Sequence, residues 1–115
     1  MTLNYAQEKA WRTIDALAAT ADSDLARRLD TAFEDHFIFL WRELESGAPT
    51  FPTPELYQRA RDEFGRLFEE PEDGGAPLRY RLNEESESSL VKLAEDVTAF
   101  CVAVLQLPDE DAYLL

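Results

Sequence analysis

Apolar side chains recur along most of the chain with the spacing of amphipathic α-helices. The first such stretch covers residues 3–21, where apolar residues three and four positions apart share one face of a helix. Alanines make up half of that stripe, so a neighbouring helix can approach it closely, and Trp11 lies at its edge. The residues of the stripe are Leu3, Ala6, Ala10, Ile14, Leu17 and Ala21.

A second helix is predicted over residues 24–46, with Ser23 as its N-cap and Gly47 at its end. Phe39 and Trp41 widen its apolar face to about half of the circumference, more than one buried face requires. This helix is therefore predicted to be central, with neighbours on more than one side. Its face consists of Leu25, Leu29, Ala32, Phe33, His36, Phe37, Leu40 and Leu44.

Two further helices are predicted over residues 54–70 and 84–107. Pro54 suits the first turn of the third helix, and Pro71 and Pro108 end the third and fourth. Asn83, Ser86 and Ser88 are alternative caps for the fourth helix.

The connection between the third and fourth helices contains a second pattern. Residues 71–77 form a proline- and glycine-rich loop. After it, apolar and basic residues alternate from Leu78 to Leu82. A single short strand has no partner in a helical chain. We therefore expect an extended stretch that lays Leu78, Tyr80 and Leu82 on the helices.

These elements predict an all-α fold with a single domain over residues 1–115. Four helices joined by one longer, extended crossover between helices 3 and 4 are typical of a four-helix bundle. The length of 115 residues fits one domain of ordinary size. A tail over residues 108–115, acidic and then apolar, follows the last helix.

The charge of the chain restricts its partners. There are 24 acidic and 11 basic residues, and the net charge is −13 with an isoelectric point near 4.3. Such a charge repels nucleic-acid phosphates and anionic lipids, so we expect no direct binding to nucleic acid or to a membrane. It attracts a basic protein, although solubility alone also accounts for an acidic surface.

The lengths of the apolar runs and the single cysteine also indicate a cellular compartment. The longest apolar run, Ala99–Leu105, is far shorter than the roughly 20 residues of a membrane span. Cys101 is the only cysteine, so it has no disulfide partner within the chain. Together these features predict a cytoplasmic protein.

Residues able to carry out chemistry are few. His36 is the only histidine, and it lies on the apolar face of the second helix, which favours a partly buried histidine held by one hydrogen bond over a general base. Cys101 lies on the inward face of the fourth helix among apolar neighbours, which favours a small core residue over a nucleophile. We expect no catalytic residue, cofactor or metal ion.

One arrangement of carboxylates leaves an enzyme open as an alternative. Glu84 and Glu87 have the i, i+3 spacing with which one helix presents two carboxylates to Mg²⁺. No second pair of this spacing projects from a convincing inward face. A Mg²⁺-dependent nucleotide hydrolase of the all-α type is therefore the second alternative.

Residues outside the predicted core suggest an interface. Arg79 and Arg81 would project to the same side of an extended stretch and form a basic spot, unless they neutralise neighbouring carboxylates. Several apolar residues miss the helical faces or lie in connections, and a contiguous patch of them would mark an interaction site. The candidate interface residues are Ile38, Trp41, Phe51, Arg79, Arg81, Val91, Val102, Tyr113, Leu114 and Leu115.

The pattern favours a non-enzymatic acidic, helical protein-binding module. Inhibitors, immunity-like partners, adaptors and small subunits of larger assemblies belong to this class. The expected partner is another protein, a basic one in particular, or a second copy of the chain. The first alternative is a nucleic-acid mimic that blocks a DNA- or RNA-binding protein, which requires carboxylates in a ridge at phosphate-like spacing.

Overall fold

The computed structural model describes residues 3–18, 24–45, 54–72 and 74–107. Within these ranges the protein is all-α and contains no strand, which confirms the predicted fold class. The second helix includes a π-helical segment, and two 3₁₀ turns precede the last helix. The elements are α1 (Leu3–Ala18), α2 (Leu25–Ala32, continued by the π segment Phe33–Phe37 and by Ile38–Glu45), α3 (Pro54–Phe68), the turns Leu78–Tyr80 and Leu82–Glu84, and α4 (Glu87–Leu105).

Capping residues decide where the helices begin. The carboxylate of Asp24 accepts a hydrogen bond from the backbone N–H of Arg27 at 2.8 Å, so Asp24 is the N-cap of α2. The predicted cap, Ser23, lies outside the described residues. In α4 the hydroxyl of Ser86 accepts from the N–H of Ser89 at 3.2 Å, which selects Ser86 among the three predicted caps.

Several predicted helix boundaries need correction or fall outside the described residues. Because Ser86 caps α4, this helix begins at Glu87 and not at residue 84. Helix α3 ends at Phe68, before the predicted residue 70, and α4 ends at Leu105, before the predicted residue 107. The predicted last turn of α1, residues 19–21, lies outside the described residues, as does the tail 108–115.

An aromatic cluster joins three of the helices. The ring of Phe37 in α2 lies 5.4 Å from that of Phe64 in α3 and 6.3 Å from that of Phe100 in α4, both edge to face. The ring of Phe68 stacks on Phe37 at 5.9 Å and on Trp41 at 5.2 Å. Offset and edge-to-face pairs of this kind add to the hydrophobic stabilisation of burial.

The π segment keeps the aromatic residues of α2 on one side. Leu29, Phe33, Phe37 and Trp41 follow one another at intervals of four residues, and all are buried. In a regular α-helix each such step advances about 40° beyond a full turn, so three steps would rotate the last residue out of the core. The wider turn of the π segment, where the N–H of Ile38 donates to the carbonyl of Phe33, offsets this rotation.

Helices α1 and α4 pack closely along their lengths. Ala6 and Ala10 are fully buried, as the alanine stripe predicted. The side-chain amide of Gln7 donates at the C-terminal end of α4, at 3.3 Å to the Val104 carbonyl and at 3.0 Å to the Leu107 carbonyl just beyond the helix. This amide therefore binds the C-terminal end of α4 to the first turns of α1.

The crossover before α4 differs from its prediction. It is not extended, because the 3₁₀ turns Leu78–Tyr80 and Leu82–Glu84 replace the expected alternating stretch. Leu78 and Leu82 are buried as predicted, but Tyr80 is 57% exposed. Leu78 and Leu82 begin two successive turns and both face the core, whereas Tyr80, at the end of the first turn, points outward.

We predict that Phe37→Ala destabilises the protein by about 3–5 kcal/mol, because it leaves a cavity where four aromatic rings meet. Urea unfolding followed by circular dichroism measures the change in the free energy of unfolding. The matched control is Tyr80→Ala, which removes an exposed ring and should change stability by less than about 1 kcal/mol. Equal losses in the two variants would contradict the central role of the cluster.

Candidate protein-interaction surface

An apolar groove runs between α1 and α4 and is closed at one end by the first turn of α2. It encloses about 540 Å³ and is open to solvent along one side. Most of its lining is aliphatic, with Arg28 and Glu95 as its charged residues. The apolar and small residues that line it are Ile14, Leu17, Ala18, Leu25, Val91, Ala94, Thr98 and Ala99.

The register between α1 and α4 shows how far this apolar surface extends. Gln7 is bonded to the carbonyl of Leu107, just beyond the end of α4, and Thr13 lies beside Cys101. A step of six residues forward along α1 therefore corresponds to a step of six residues backward toward and along α4. The two helices are antiparallel. By the same register Trp11 lies level with Ala103, one residue from Val102.

Trp11 and Val102 extend the groove lengthwise. Trp11 precedes Ile14 by three residues and Ala18 by seven, so it lies on the flank of α1 that lines the groove. Val102 follows Thr98 by four residues and Val91 by eleven, and it shares their flank of α4. We call the combined surface the apolar face, formed by Trp11, Ile14, Ala18, Leu25, Val91, Ala94, Thr98 and Val102.

The apolar face holds most of the strongly exposed large apolar side chains of the described residues. Trp11 is 56% exposed, Val91 42% and Val102 38%, whereas Tyr80 is exposed elsewhere on the surface. Single exposed apolar residues are ordinary on a protein surface. Three of them aligned along one groove form a contiguous patch, which is typical of an interaction site.

Carboxylates border the apolar face on both long edges. On α1, Glu8 and Asp15 stand three residues before and four after Trp11. On α4, Glu87 and Glu95 stand four residues before and after Val91. Helical spacing places each of them beside the apolar residue it flanks.

The cations near the face are held by other groups. Arg12 forms an ion pair with Glu8 at 3.7 Å, with both side chains more than half exposed. The guanidinium of Arg28 donates to the carbonyl of Leu17 at 3.0 Å, which closes the end of α1 against α2. Lys92, next to Val91 on α4, is paired with Asp96 at 2.6 Å. Counted with this pair, five carboxylates surround the face against three cations, so its border is acidic.

The predicted apolar interface residues fall into four groups. Val91 and Val102 belong to the apolar face. Trp41 is wrong as a surface residue: it is 2% exposed, because its ring stacks on Phe68 in the core. Ile38 is half-buried. The remaining apolar candidates lie outside the described residues, and they are Phe51, Tyr113, Leu114 and Leu115.

Arg79 and Arg81 do not form the expected joint basic spot. Arg79 forms an ion pair with Glu34, and its guanidinium stacks over the Tyr80 ring at 4.0 Å. Arg81 instead donates from Nε to the carbonyl of Ala76 at 2.9 Å. The 3₁₀ geometry separates the two side chains, which line different surface pockets. The structure therefore shows that Arg79 neutralises a carboxylate, that of Glu34.

Trp11 was missed as a surface residue by sequence reasoning. It lies beside the buried stripe of α1, and an aromatic residue at such an edge is usually assigned to the core. The signal that could have identified it is the alanine content of the stripe. Where Ala6 and Ala10 bring α4 close to α1, no space remains for an indole between the two helices.

Neither His36 nor Cys101 lies in an open catalytic site. His36 is half-buried in the π segment, and its Nδ1 atom is buried without a hydrogen-bond partner among the described residues. Cys101 is fully buried, and its burial raises the pKa of the thiol to about 12, against a smaller lowering by the Thr13 hydrogen bond. A thiol of this kind is protonated at neutral pH and is a poor nucleophile.

The carboxylate pair considered for Mg²⁺ is divided between two elements. Glu84 ends a 3₁₀ turn, and Glu87 begins α4 beyond the Ser86 cap, so the two do not stand on successive turns of one helix. In the described ranges no three histidine, cysteine, aspartate or glutamate side chains come together as a metal site requires.

Comparison with known proteins gave no match, whether by family, by curated sequence or by solved structure. None of the helices in the described ranges combines the length and the apolar character needed to cross a lipid bilayer.

Burial of the Cys101 thiol predicts that the stability of the protein depends on pH. Because the pKa of Cys101 rises from 9.0 to about 12 on folding, the unfolded chain loses this proton first as the pH rises. The thiol therefore contributes stability that is complete below pH 9 and declines between pH 9 and about 12, by at most about 1.4 kcal/mol per pH unit.

The measurement is the free energy of unfolding of the wild type and of Cys101→Ala between pH 7 and 10.5. The difference between the two proteins isolates the thiol, since lysine and tyrosine titrations are common to both. A difference that stays constant over this range would contradict the burial of Cys101.

Proposed function

We propose that the protein is a non-enzymatic protein-binding module and that the apolar face is its binding site. The observation that carries this proposal is the alignment of Trp11, Val91 and Val102 along one groove. Other described surfaces hold isolated apolar residues such as Tyr80, whose ring is already in contact with Arg79.

The composition of the face supports a protein partner. Tryptophan contributes a large rigid surface and is among the residues that most often dominate binding energy. Valine and alanine neighbours around it provide complementarity without polar groups that would need partners. A protein segment that covered the face would remove the indole and both valines from water together.

The secondary structure beneath the face also suits binding. Most of its residues stand on α1 and α4, which are joined by the hydrogen bonds of the Gln7 amide. A site on packed helices keeps its shape before a partner arrives, so little ordering entropy opposes binding. The face is therefore a preformed site.

The proposal includes a cytoplasmic location. It is supported by Cys101, which is buried as a free thiol and has no partner cysteine in the sequence. Chains exported to oxidising compartments use cysteines in pairs much more often.

Affinity capture with a face variant tests the function. Wild-type protein and Trp11→Ser are immobilised in parallel, and proteins bound from a lysate of the source cells are quantified by mass spectrometry. We expect one or a few proteins to be retained by the wild type and depleted about tenfold or more on Trp11→Ser, the scale of a lost hot-spot residue.

Tyr80→Ala is the matched control, because Tyr80 and Trp11 are equally exposed aromatic residues on different surfaces. Its captured set should equal that of the wild type. Circular dichroism of both variants verifies that the fold is retained. A captured set that is the same on all three proteins would refute binding through the apolar face.

A further inference from the structure

We infer that the occupant of the apolar face is a cationic amphipathic α-helix from another protein. This inference rests on the proposed function and specifies the chemistry of its partner. It follows from the shape of the groove and from the acidic residues along both of its edges.

The dimensions of the face fit a short helix. Val91 and Val102 mark its two ends on α4, and eleven residues of α-helix span about 17 Å. A helix laid between α1 and α4 over that length makes three turns. Apolar residues at positions i, i+3 or i+4, i+7 and i+11 of the partner would face the groove, which is how amphipathic helices bind in helix-lined grooves.

The edges of the face determine the charge of the partner. A helix in the groove places its flanking side chains next to Glu8 and Asp15 on one edge and next to Glu87 and Glu95 on the other. Arg12 is paired with Glu8 and Lys92 with Asp96, while Arg28 is confined to the α2 end of the groove by its hydrogen bond to the Leu17 carbonyl. Lysine or arginine on both flanks of the partner would complement these carboxylates, while glutamate would be repelled.

A second copy of this chain does not fit the same site. A twofold dimer through the face would set the carboxylates of one border against those of its copy. Each chain also carries a net charge of −13, so two chains repel one another before contact. Charge therefore favours a partner of opposite sign over self-association.

The acidic part of the chain's own tail is excluded on the same ground. Its sequence after Pro108 begins Asp109-Glu110-Asp111. Laid along the face, these residues would meet the carboxylates of the border. A basic segment has no such conflict.

Three synthetic helical peptides of fourteen residues test the inference by fluorescence anisotropy. The first has leucines at the four groove-facing positions and lysines on both flanks. The second has glutamate in place of every lysine, and the third keeps the lysines but has serine in place of every leucine. We expect the first peptide to bind at least about tenfold more tightly than either of the others.

Variants locate the binding. Glu95→Lys should weaken the first peptide about fivefold or more, and Trp11→Ser should weaken it by about tenfold or more. The matched controls are Asp62→Lys, which makes the same change in net charge on the outer side of α3, and Tyr80→Ala. Both controls should bind the first peptide within about twofold of the wild type.

Each outcome decides between occupants. Equal affinity for the lysine and glutamate peptides would overturn the cationic partner and leave an apolar binding site. Equal weakening by Glu95→Lys and Asp62→Lys would show attraction by net charge alone and overturn the docking site. A dimer seen by light scattering that Val102→Asp dissociates would assign the face to a second copy.

Failure of this inference and failure of the proposed function are distinguishable. If no peptide binds at millimolar concentration, the cationic helix is overturned. Lysate proteins that are lost on Trp11→Ser would in that case still support a protein-binding face of different specificity. If those proteins are also absent, both proposals fail.

Discussion

The contacts of the Phe37 ring connect α2 to α3 and α4 through Phe64, Phe68 and Phe100. A chain with a net charge of −13 repels itself when it becomes compact, and only contacts that exclude water oppose this repulsion effectively. Ring-to-ring packing at the centre does so without any buried charge. The π segment belongs to the same constraint, because it keeps Phe33, Phe37 and Trp41 in the core together.

The position of the apolar face follows from how this core is filled. Aromatic side chains occupy the space among α2, α3 and α4, and α1 contributes alanines at its closest approach to α4. A close helix pair leaves no volume for the indole of Trp11, which therefore lies on the outside beside Ile14 and Ala18. The exposed patch is a consequence of small residues on the inward side of the same helix.

Periodicity was sufficient to predict four helices because each keeps a consistent apolar stripe for at least three turns. It was insufficient where two arrangements satisfy the same pattern. Intervals of four residues from Leu29 to Trp41 fit both a drifting α-helix and one with a π segment, so Trp41 was assigned to the surface when it belongs to the core. Alternation at residues 78–82 likewise fits both a strand and successive 3₁₀ turns, which differ in the side to which Tyr80 points.

The candidate site was predictable only in part for a related reason. Val91 and Val102 could be placed off the core of α4 from its stripe alone. Their alignment with Trp11 depends on the register between α1 and α4, which is set by hydrogen bonds between residues about one hundred positions apart. No local pattern contains that register.

The long separation in sequence between α1 and α4 has a consequence for folding during synthesis on the ribosome. Translation at roughly 5–20 residues per second leaves several seconds between the synthesis of α1 and that of α4. During this interval α1 exists without the helix against which it packs, and loop closure over the whole chain must precede their pairing. Alanines suit the inward face of a helix that is still unpaired. They favour the helical state on their own, and they expose little apolar surface to other nascent chains.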